Sequence, residues 1–243
     1  MKRISHRYRY GTKEISYRYK DEIDQLDIPD WKKQIAYEAT PYTAAWFEPI
    51  IHLIDATESI IVNNIPGDFV ECGVWMGGSC MIMAEVMKHY NQPRTIWMYD
   101  TYDGIPVPDA IDNNVDYGSL RDLFFEENRL DEDGKSSWCY TSLYDVQLNM
   151  NSIEYPGKIE YVEGLVEDTI PQTIPEQIAM LRVDVDLVKP TEWIFKHMYP
   201  RLVSSGCLIV DDYGHFPNLA ASVDEYLQQK LTMINVNAGY HIK

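Results

Sequence analysis

The sequence has no run of about 20 apolar residues, the length that a membrane-spanning helix needs, so we expect no contact with a membrane. Its first residues, MKRISHRYRY, contain no apolar segment, and we therefore expect no secretory signal. The four cysteines form no C-x-x-C pair and have no histidine at ligand spacing, which argues against a zinc site. Reduced cysteines of this kind are typical of a cytoplasmic protein.

Positive charge is also scarce. The chain has 21 lysine and arginine residues against 38 aspartate and glutamate residues, a net charge of −17 over 243 residues. Such a surface repels nucleic-acid phosphates, so we expect no nucleic-acid partner and favour a small neutral or cationic partner or a metal ion. Apolar residues make up 45% of the chain, which suffices for a buried core.

The few basic residues are concentrated at the N-terminus. Residues 1–20 carry a net charge of +6, with tyrosines between the basic residues, and the rest of the chain carries −23. A nucleic-acid-binding arm has a similar pattern, but charge complementarity favours an arm on the acidic body or on a second subunit of a homo-oligomer. Helical periodicity continues over residues 29–65, with a break at Pro41. We therefore expect a basic arm and helical extension at residues 1–64, serving as a lid or oligomer contact, followed by one domain at residues 65–243.

Beyond residue 67, short apolar strands alternate with helices. We predict strands at 68–73, 95–100, 158–163, 178–184 and 207–211, and helices at 79–90, 119–130, 140–150, 190–199 and 218–229. The last segments, 231–236 and 240–243, are predicted to form a hairpin. This alternation favours an α/β fold with a mainly parallel, doubly wound sheet, in which ligands bind at the carboxyl ends of the strands.

A glycine-containing turn follows the first predicted strand. Gly73, Gly77 and Gly78 stand in a G-x-x-x-G-G spacing just before a helix, where backbone N–H groups can approach a ligand. Asp100 ends the second strand, and a carboxylate at that place can accept hydrogen bonds from the hydroxyls of a ribose. Together they predict a nucleoside-bearing cofactor, whereas separately they could be a tight turn and a surface aspartate.

Two further strands end in paired acidic residues. Asp184 and Asp186 follow one strand, and Asp211 and Asp212 follow another. In a parallel sheet these carboxylates share one edge, where they would repel one another unless a cation lay among them. Oxygen ligands of this kind select Mg²⁺ or a similar ion. Capping of the following helices is the alternative, but it accounts for one or two of the four residues.

Several motifs along the chain together resemble those of the macrocin O-methyltransferase family of antibiotic-sugar methyltransferases. They are residues 65–75 with Gly77 and Gly78, residues 100–106, residues 163–164 with 167–171, residues 184–187, and residues 199–202 with Gly206 and residues 211–214. The resemblance implies a class I methyltransferase with a Rossmann-like sheet, mostly parallel with a C-terminal antiparallel hairpin strand. It also implies S-adenosylmethionine and Mg²⁺ as cofactors and a sugar hydroxyl as the acceptor.

Site roles carry over from that family at matching positions. Asp184, Asp211 and Asp212 would be the metal ligands, and Asp186 the general base. The residues expected to contact S-adenosylmethionine are Glu71, Gly73, Gly77, Gly78, Ser79, Asp100 and Asp168. We therefore predict a cytoplasmic, S-adenosylmethionine- and Mg²⁺-dependent O-methyltransferase for a sugar or another polyhydroxylated small molecule.

The chain departs from the family where the acceptor is selected. Met76 stands where the family commonly has arginine, and residues 40–47 lack the basic residues usual in its substrate lid. A metabolite or cell-surface sugar is therefore our hypothesis for the acceptor. Two alternatives remain at this stage: a glycosyltransferase that uses Asp184-Val185-Asp186 as its D-x-D motif, and a non-enzymatic α/β protein that binds a divalent cation.

Overall fold

The computed structural model describes residues 17–127, 129–132 and 135–243, and the main feature of this part of the chain is a seven-stranded sheet. Its strands are β1 (Asp68–Cys72), β2 (Ile96–Asp100), β5 (Ile159–Glu163), β6 (Ile178–Val183), β7 (Leu202–Val210), β8 (Thr232–Met233) and β9 (Gly239–Ile242). A separate hairpin is formed by β3 (Asn113–Asn114) and β4 (Gly118–Ser119). The helices are α1 (Lys20–Asp24), α2 (Asp30–Ala39), α3 (Phe47–Val62), α4 (Gly78–His89), α5 (Leu120–Glu126), α6 (Leu143–Asn151), α7 (Val166–Thr169), α8 (Val188–His197) and α9 (Pro217–Leu227).

The strand order is β5-β2-β1-β6-β7-β9-β8, and the first five strands are parallel. β9 pairs antiparallel with β7 and with β8, so the predicted mostly parallel sheet with a C-terminal antiparallel hairpin is confirmed. The chain passes from β1 to β2 on one side, whereas β6 lies on the other side of β1. The switch point at which such sheets bind ligands therefore lies between β1 and β6.

Both faces of the sheet are buried, which explains the continuous apolar strands. In β1, Phe69 packs with the helices on one face and Val70 with those on the other, because alternate side chains of a strand point to opposite faces. All six residues of β6 are buried. One face is covered by α2, α3 and α4, and the other by α8 and α9.

The N-terminal helices pack against the sheet domain. Ile23 of α1 and Ile50 of α3 belong to the same buried cluster as the side chains of α4. The predicted break at Pro41 is a 3₁₀ turn, Thr40–Tyr42. At the end of the basic arm, the Arg18 guanidinium donates to the carbonyl oxygens of Thr40 and Thr43. The preceding part of the predicted arm, residues 1–16, lies outside the described residues.

The remaining differences from the predicted elements have local causes. β7 begins at Leu202 rather than at residue 207, because Ser205 donates its backbone N–H to the carbonyl of Lys243 although its side chain is exposed. The short elements α1, α7, β3 and β4 contain too few residues to produce a periodic pattern. No helix in the described ranges is both long and apolar enough to cross a bilayer.

A pair of glycine variants should separate backbone strain from a steric clash. Gly73 has φ +83°, and a Cβ atom there would lie 1.8 Å from the carbonyl oxygen of Asp184, at the end of β6. Gly118 also has a positive φ, +72°, but a Cβ atom there would meet nothing within 4 Å. We expect Gly118→Ala to lower the free energy of unfolding by about 1 kcal/mol, from strain alone. Gly73→Ala should lower it by about 4 kcal/mol, because β1 and β6 must also separate at their ends.

The measurement is urea unfolding of the full chain, followed by circular dichroism without added cofactor. Equal losses in the two variants would show that the contact between Gly73 and Asp184 does not constrain the sheet.

Candidate active site

A cavity of about 420 Å³ opens at the carboxyl ends of the parallel strands, at the switch point between β1 and β6. Its wall is formed by the turn after β1, the loops after β2 and β5, the ends of β6 and β7, and residues 42–46 before α3. This volume is within the range of small-molecule sites. The topology of the sheet therefore brings the separately predicted motifs to one cavity.

Asp100 fixes the turn after β1. One of its carboxylate oxygens, Oδ2, accepts the backbone N–H groups of Val74 at 2.7 Å and Trp75 at 3.1 Å. The other, Oδ1, accepts the N–H of Tyr102 at 2.8 Å. Burial raises the pKa of Asp100, although these donors oppose the rise by stabilising the charged form. The carboxylate also holds Trp75 and Tyr102, both of which have positive φ angles.

Most of the predicted cofactor residues line this cavity, namely Glu71, Gly73, Gly78, Ser79 and Asp100. Gly77 and Asp168 are not brought to it. The Cβ position of Gly77 faces the side chains of Val146 and Met98 at 3.4 and 3.5 Å, in the core behind the turn. Asp168 is exposed on α7, where the preceding residue, Glu167, takes the position that faces the cavity. The helical rotation between consecutive residues accounts for this correction.

Three strand-end carboxylates form a tight group. One oxygen from each of Asp184, Asp186 and Asp212 lies within 4.8 Å of the other two. Asp186 and Asp212 adopt left-handed backbone conformations, with φ +61° and +54°, which aspartate tolerates better than most residues. Burial, together with the negative charge of Asp184, raises the pKa of Asp186 to about 6. Burial and the charge of Asp186 also raise the pKa of Asp212.

The fourth carboxylate, Asp211, lies outside that group and next to Arg182. The buried Arg182 guanidinium donates through Nη1 to Glu71 Oε1 and to Asp184 Oδ2, both at 2.6 Å. Its Nη2 lies 3.2 Å from Asp211 Oδ1, yet this oxygen accepts no hydrogen bond of adequate geometry from the described residues. One guanidinium thus serves three carboxylates on three neighbouring strands. Arg182 was not among the residues predicted from the sequence, although an arginine within the apolar strand β6 is a signal of such a role.

The charge balance of the cavity favours a cation. Among the described residues of its wall, nine are acidic and one, Lys189, is basic. Arg182 pairs with Glu71, Asp184 and Asp211, while Asp186 and Asp212 lie close to Asp184, so five carboxylates share one guanidinium. The closely spaced oxygens of Asp184, Asp186 and Asp212, and the neighbouring Asp211 Oδ1, which accepts no hydrogen bond from the described residues, fit a hard divalent ion such as Mg²⁺.

This arrangement agrees with the comparison to known proteins. The macrocin-O-methyltransferase (TylF) family matches residues 30–241. The chain belongs to this family. It is therefore an O-methyltransferase, and the glycosyltransferase alternative is wrong.

Relatives of this methyltransferase are similar over most of their length. Demethyldecarbamoylnovobiocin O-methyltransferase of Streptomyces niveus is 28% identical over 91% of this chain and 78% of its own. Mycinamicin III 3''-O-methyltransferase of Micromonospora griseorubida is 30% identical over 78% of this chain and 72% of its own. The structure of the O-methyltransferase NovP matches with a TM-score of 0.72 at 27% identity, over 83% of this chain and 82% of NovP.

We expect Arg182 to be essential for the stability of this methyltransferase. Arg182→Met leaves three carboxylates without their shared partner, which should lower the free energy of unfolding by about 4 kcal/mol. Lys189→Met removes a side chain that is 68% exposed and paired with Asp109, so its effect on stability should be far smaller than that of Arg182→Met. The double variant Glu71→Gln, Arg182→Met should recover part of the loss, because one buried charge is removed.

Urea unfolding at neutral pH measures all three variants. Similar losses for Arg182→Met and Lys189→Met would contradict the role given to the buried guanidinium.

Proposed function

We propose that this methyltransferase transfers the methyl group of S-adenosylmethionine to a hydroxyl group of a sugar or another polyhydroxylated small molecule. The observation that carries the proposal is the close group of Asp184, Asp186 and Asp212 in the same cavity as the Gly73 turn. The names of the relatives support a sugar acceptor. One is a 4'-O-methyltransferase of a rhamnosyl-tetracenomycin from Streptomyces olivaceus, 28% identical over 73% of this chain.

The proposed cofactor contacts are on the turn after β1 and the start of α4. The first backbone N–H groups of a helix have no partner within it, and Gly78 and Ser79, the first residues of α4, line the cavity. They can donate to the carboxylate of S-adenosylmethionine. The Glu71 carboxylate is occupied by Arg182 and by the thiol of Cys80, which lies 2.8 Å from Oε2. Glu71 is also only 1% exposed, whereas Asp100 is partly exposed to the cavity. We therefore assign Glu71 to the support of this region and Asp100 to the ribose side.

Asp184, Asp211 and Asp212 are the proposed ligands of a divalent cation. Bound there, Mg²⁺ would act as a Lewis acid that lowers the pKa of the acceptor hydroxyl. In support, Asp184 and Asp212 belong to the close carboxylate group, and Asp211 Oδ1 is buried without a hydrogen bond from the described residues. Arg182 donates a hydrogen bond to Asp184 and lies within ion-pair distance of Asp211, which favours the present orientation of both carboxylates.

Asp186 is the proposed general base. Its carboxylate has no arginine or lysine partner within ion-pair distance among the described residues, and it lines the cavity. A pKa of about 6 keeps it mostly ionised at neutral pH yet makes it a stronger base than an ordinary aspartate. It could therefore accept the proton of the acceptor hydroxyl on a carboxylate oxygen as that hydroxyl takes up the methyl group. S-adenosylmethionine would supply the methyl group and leave as S-adenosylhomocysteine.

Residues 42–46 form the proposed lid, in line with the function predicted for the N-terminal extension. They line the same cavity as the acidic strand ends, and Trp46 is 51% exposed. The segment contains no lysine or arginine, so we propose that it covers an uncharged part of the acceptor.

Asp186→Asn should lower the rate of methyl transfer by about 10³-fold, because the amide cannot accept the proton. Its affinity for S-adenosylhomocysteine should stay within about threefold of the parent, since the turn after β1 is unchanged. Transfer of labelled methyl groups from S-adenosylmethionine to a panel of glycosides and free sugars measures the first quantity, and calorimetry the second. Asp116→Asn, in an exposed loop, is the matched control. Unchanged turnover in Asp186→Asn would remove this residue as the base.

Removal of divalent cations with EDTA should lower methyl transfer by about 100-fold, and added Mg²⁺ should restore it. The combined variant Asp211→Ala, Asp212→Ala should be inactive at any Mg²⁺ concentration, because it lacks two proposed ligands. Full activity of the parent protein in EDTA would contradict the metal role while leaving methyl transfer intact.

A further inference from the structure

The loop between β8 and β9 lies directly against the turn that carries Asp211 and Asp212. The backbone N–H of Gly214 donates to the carbonyl oxygen of Asn237 at 2.6 Å. A Cβ atom at Gly214 would lie 1.9 Å from the carbonyl oxygen of Val236. The backbones of the two segments are therefore in close contact, which only glycine allows at position 214. The C-terminal hairpin therefore forms one wall of the carboxylate site.

Asn237 extends from this loop to the carboxylate group. Its side-chain Nδ2 donates to Asp212 Oδ1 at 2.9 Å, and the residue lines the cavity. Its backbone N–H is itself held by Asn235 Oδ1 at 2.9 Å, and the same oxygen accepts the N–H of Ala238 at 2.9 Å. The amide of Asn237 is thus aimed at Asp212 by the conformation of its own loop.

Asp212 needs such a partner for two reasons. Its backbone is left-handed, with φ +54°, so its side chain is held in a direction that the chain alone does not favour. Its carboxylate also lies within 4.8 Å of those of Asp184 and Asp186, both of which repel it when charged. Arg182 serves the other carboxylates and makes no ion pair with Asp212 among the described residues.

We propose that Asn237 is a positioning residue that holds the Asp212 carboxylate in the cation-binding group. This inference rests on the proposed function, because it concerns the same site. An amide supplies an N–H donor without adding charge, whereas an aspartate at this position would supply another repelling carboxylate. The orientation of the amide follows from chemistry, because a carboxylate oxygen can only accept and so faces Nδ2 rather than Oδ1.

The test is the affinity of the full chain for Mn²⁺, used as the probe and measured by electron paramagnetic resonance of the free ion in the presence of S-adenosylhomocysteine. Asn237→Ala should weaken Mn²⁺ binding by about 30-fold, as loss of a residue that orients a ligand does. Asn237→Asp, which keeps the shape but loses the donor, should weaken it at least as much. Asn151→Ala, an exposed asparagine at the end of α6, is the matched control and should bind as the parent does.

Calorimetry with S-adenosylhomocysteine is the second readout, and each variant should stay within about twofold of the parent because the cofactor turn is not touched. Mn²⁺ affinity of Asn237→Ala equal to that of the parent overturns the proposal, and so does tighter binding by Asn237→Asp, which would make residue 237 a ligand. Parallel loss of Mn²⁺ and S-adenosylhomocysteine binding also overturns it, since that marks a collapsed loop.

The two binding measurements need no acceptor. A result that overturns the role of Asn237 is therefore distinguishable from a result that overturns the proposed function. In the second case the parent protein itself would transfer no labelled methyl group to any acceptor.

Discussion

The site depends on one electrostatic constraint, the neutralisation of buried carboxylates by Arg182. Glu71 and Arg182 are direct partners in the register of β1 and β6, so the pairing of the strands itself brings the two charges together. A shift of the register by one residue would place the two side chains on opposite faces of the sheet and leave each charge buried alone. The register of β1 and β6 and the ion pair between Glu71 and Arg182 therefore depend on each other, and a change in one would disrupt the other.

This constraint divides the carboxylates into two sets. Glu71, Asp184 and Asp211 lie within ion-pair distance of the Arg182 guanidinium. Asp186 and Asp212 have left-handed backbones, and neither forms an ion pair with Arg182 in the described structure. One guanidinium offsets only part of the charge of its three partners, and Asp186 and Asp212 add further negative charge next to Asp184. The excess negative charge is therefore concentrated at the ends of β6 and β7, which line the cavity.

Local pattern predicted the sheet and the place of the site, since strands buried on both faces are continuous apolar runs and their acidic ends are visible in the sequence. It did not predict Arg182 or Asn237 as partners of these acids, because their contacts join residues 111 and 25 positions apart. It also placed Gly77 and Asp168 in the cofactor set, although they face the core and the solvent. Which side of a turn or a short helix faces a cavity depends on the packing of distant elements.

The part of the cavity wall formed by residues 42–46 is supported by residues nearer the N-terminus. The family match begins at residue 30, but two earlier residues contact this region. Arg18 donates to the carbonyl oxygens of Thr40 and Thr43, and the ring of Tyr17 stacks on that of Tyr37, with 4.6 Å between the ring centroids. The 42–46 segment is in turn packed against the start of α4, where a Cβ atom at Gly78 would lie 2.5 Å from the carbonyl oxygen of Tyr42. Residues outside the family match thus support residues 40–46, part of which line the cavity. The shape of this wall therefore depends on contacts that the acidic strand ends do not make.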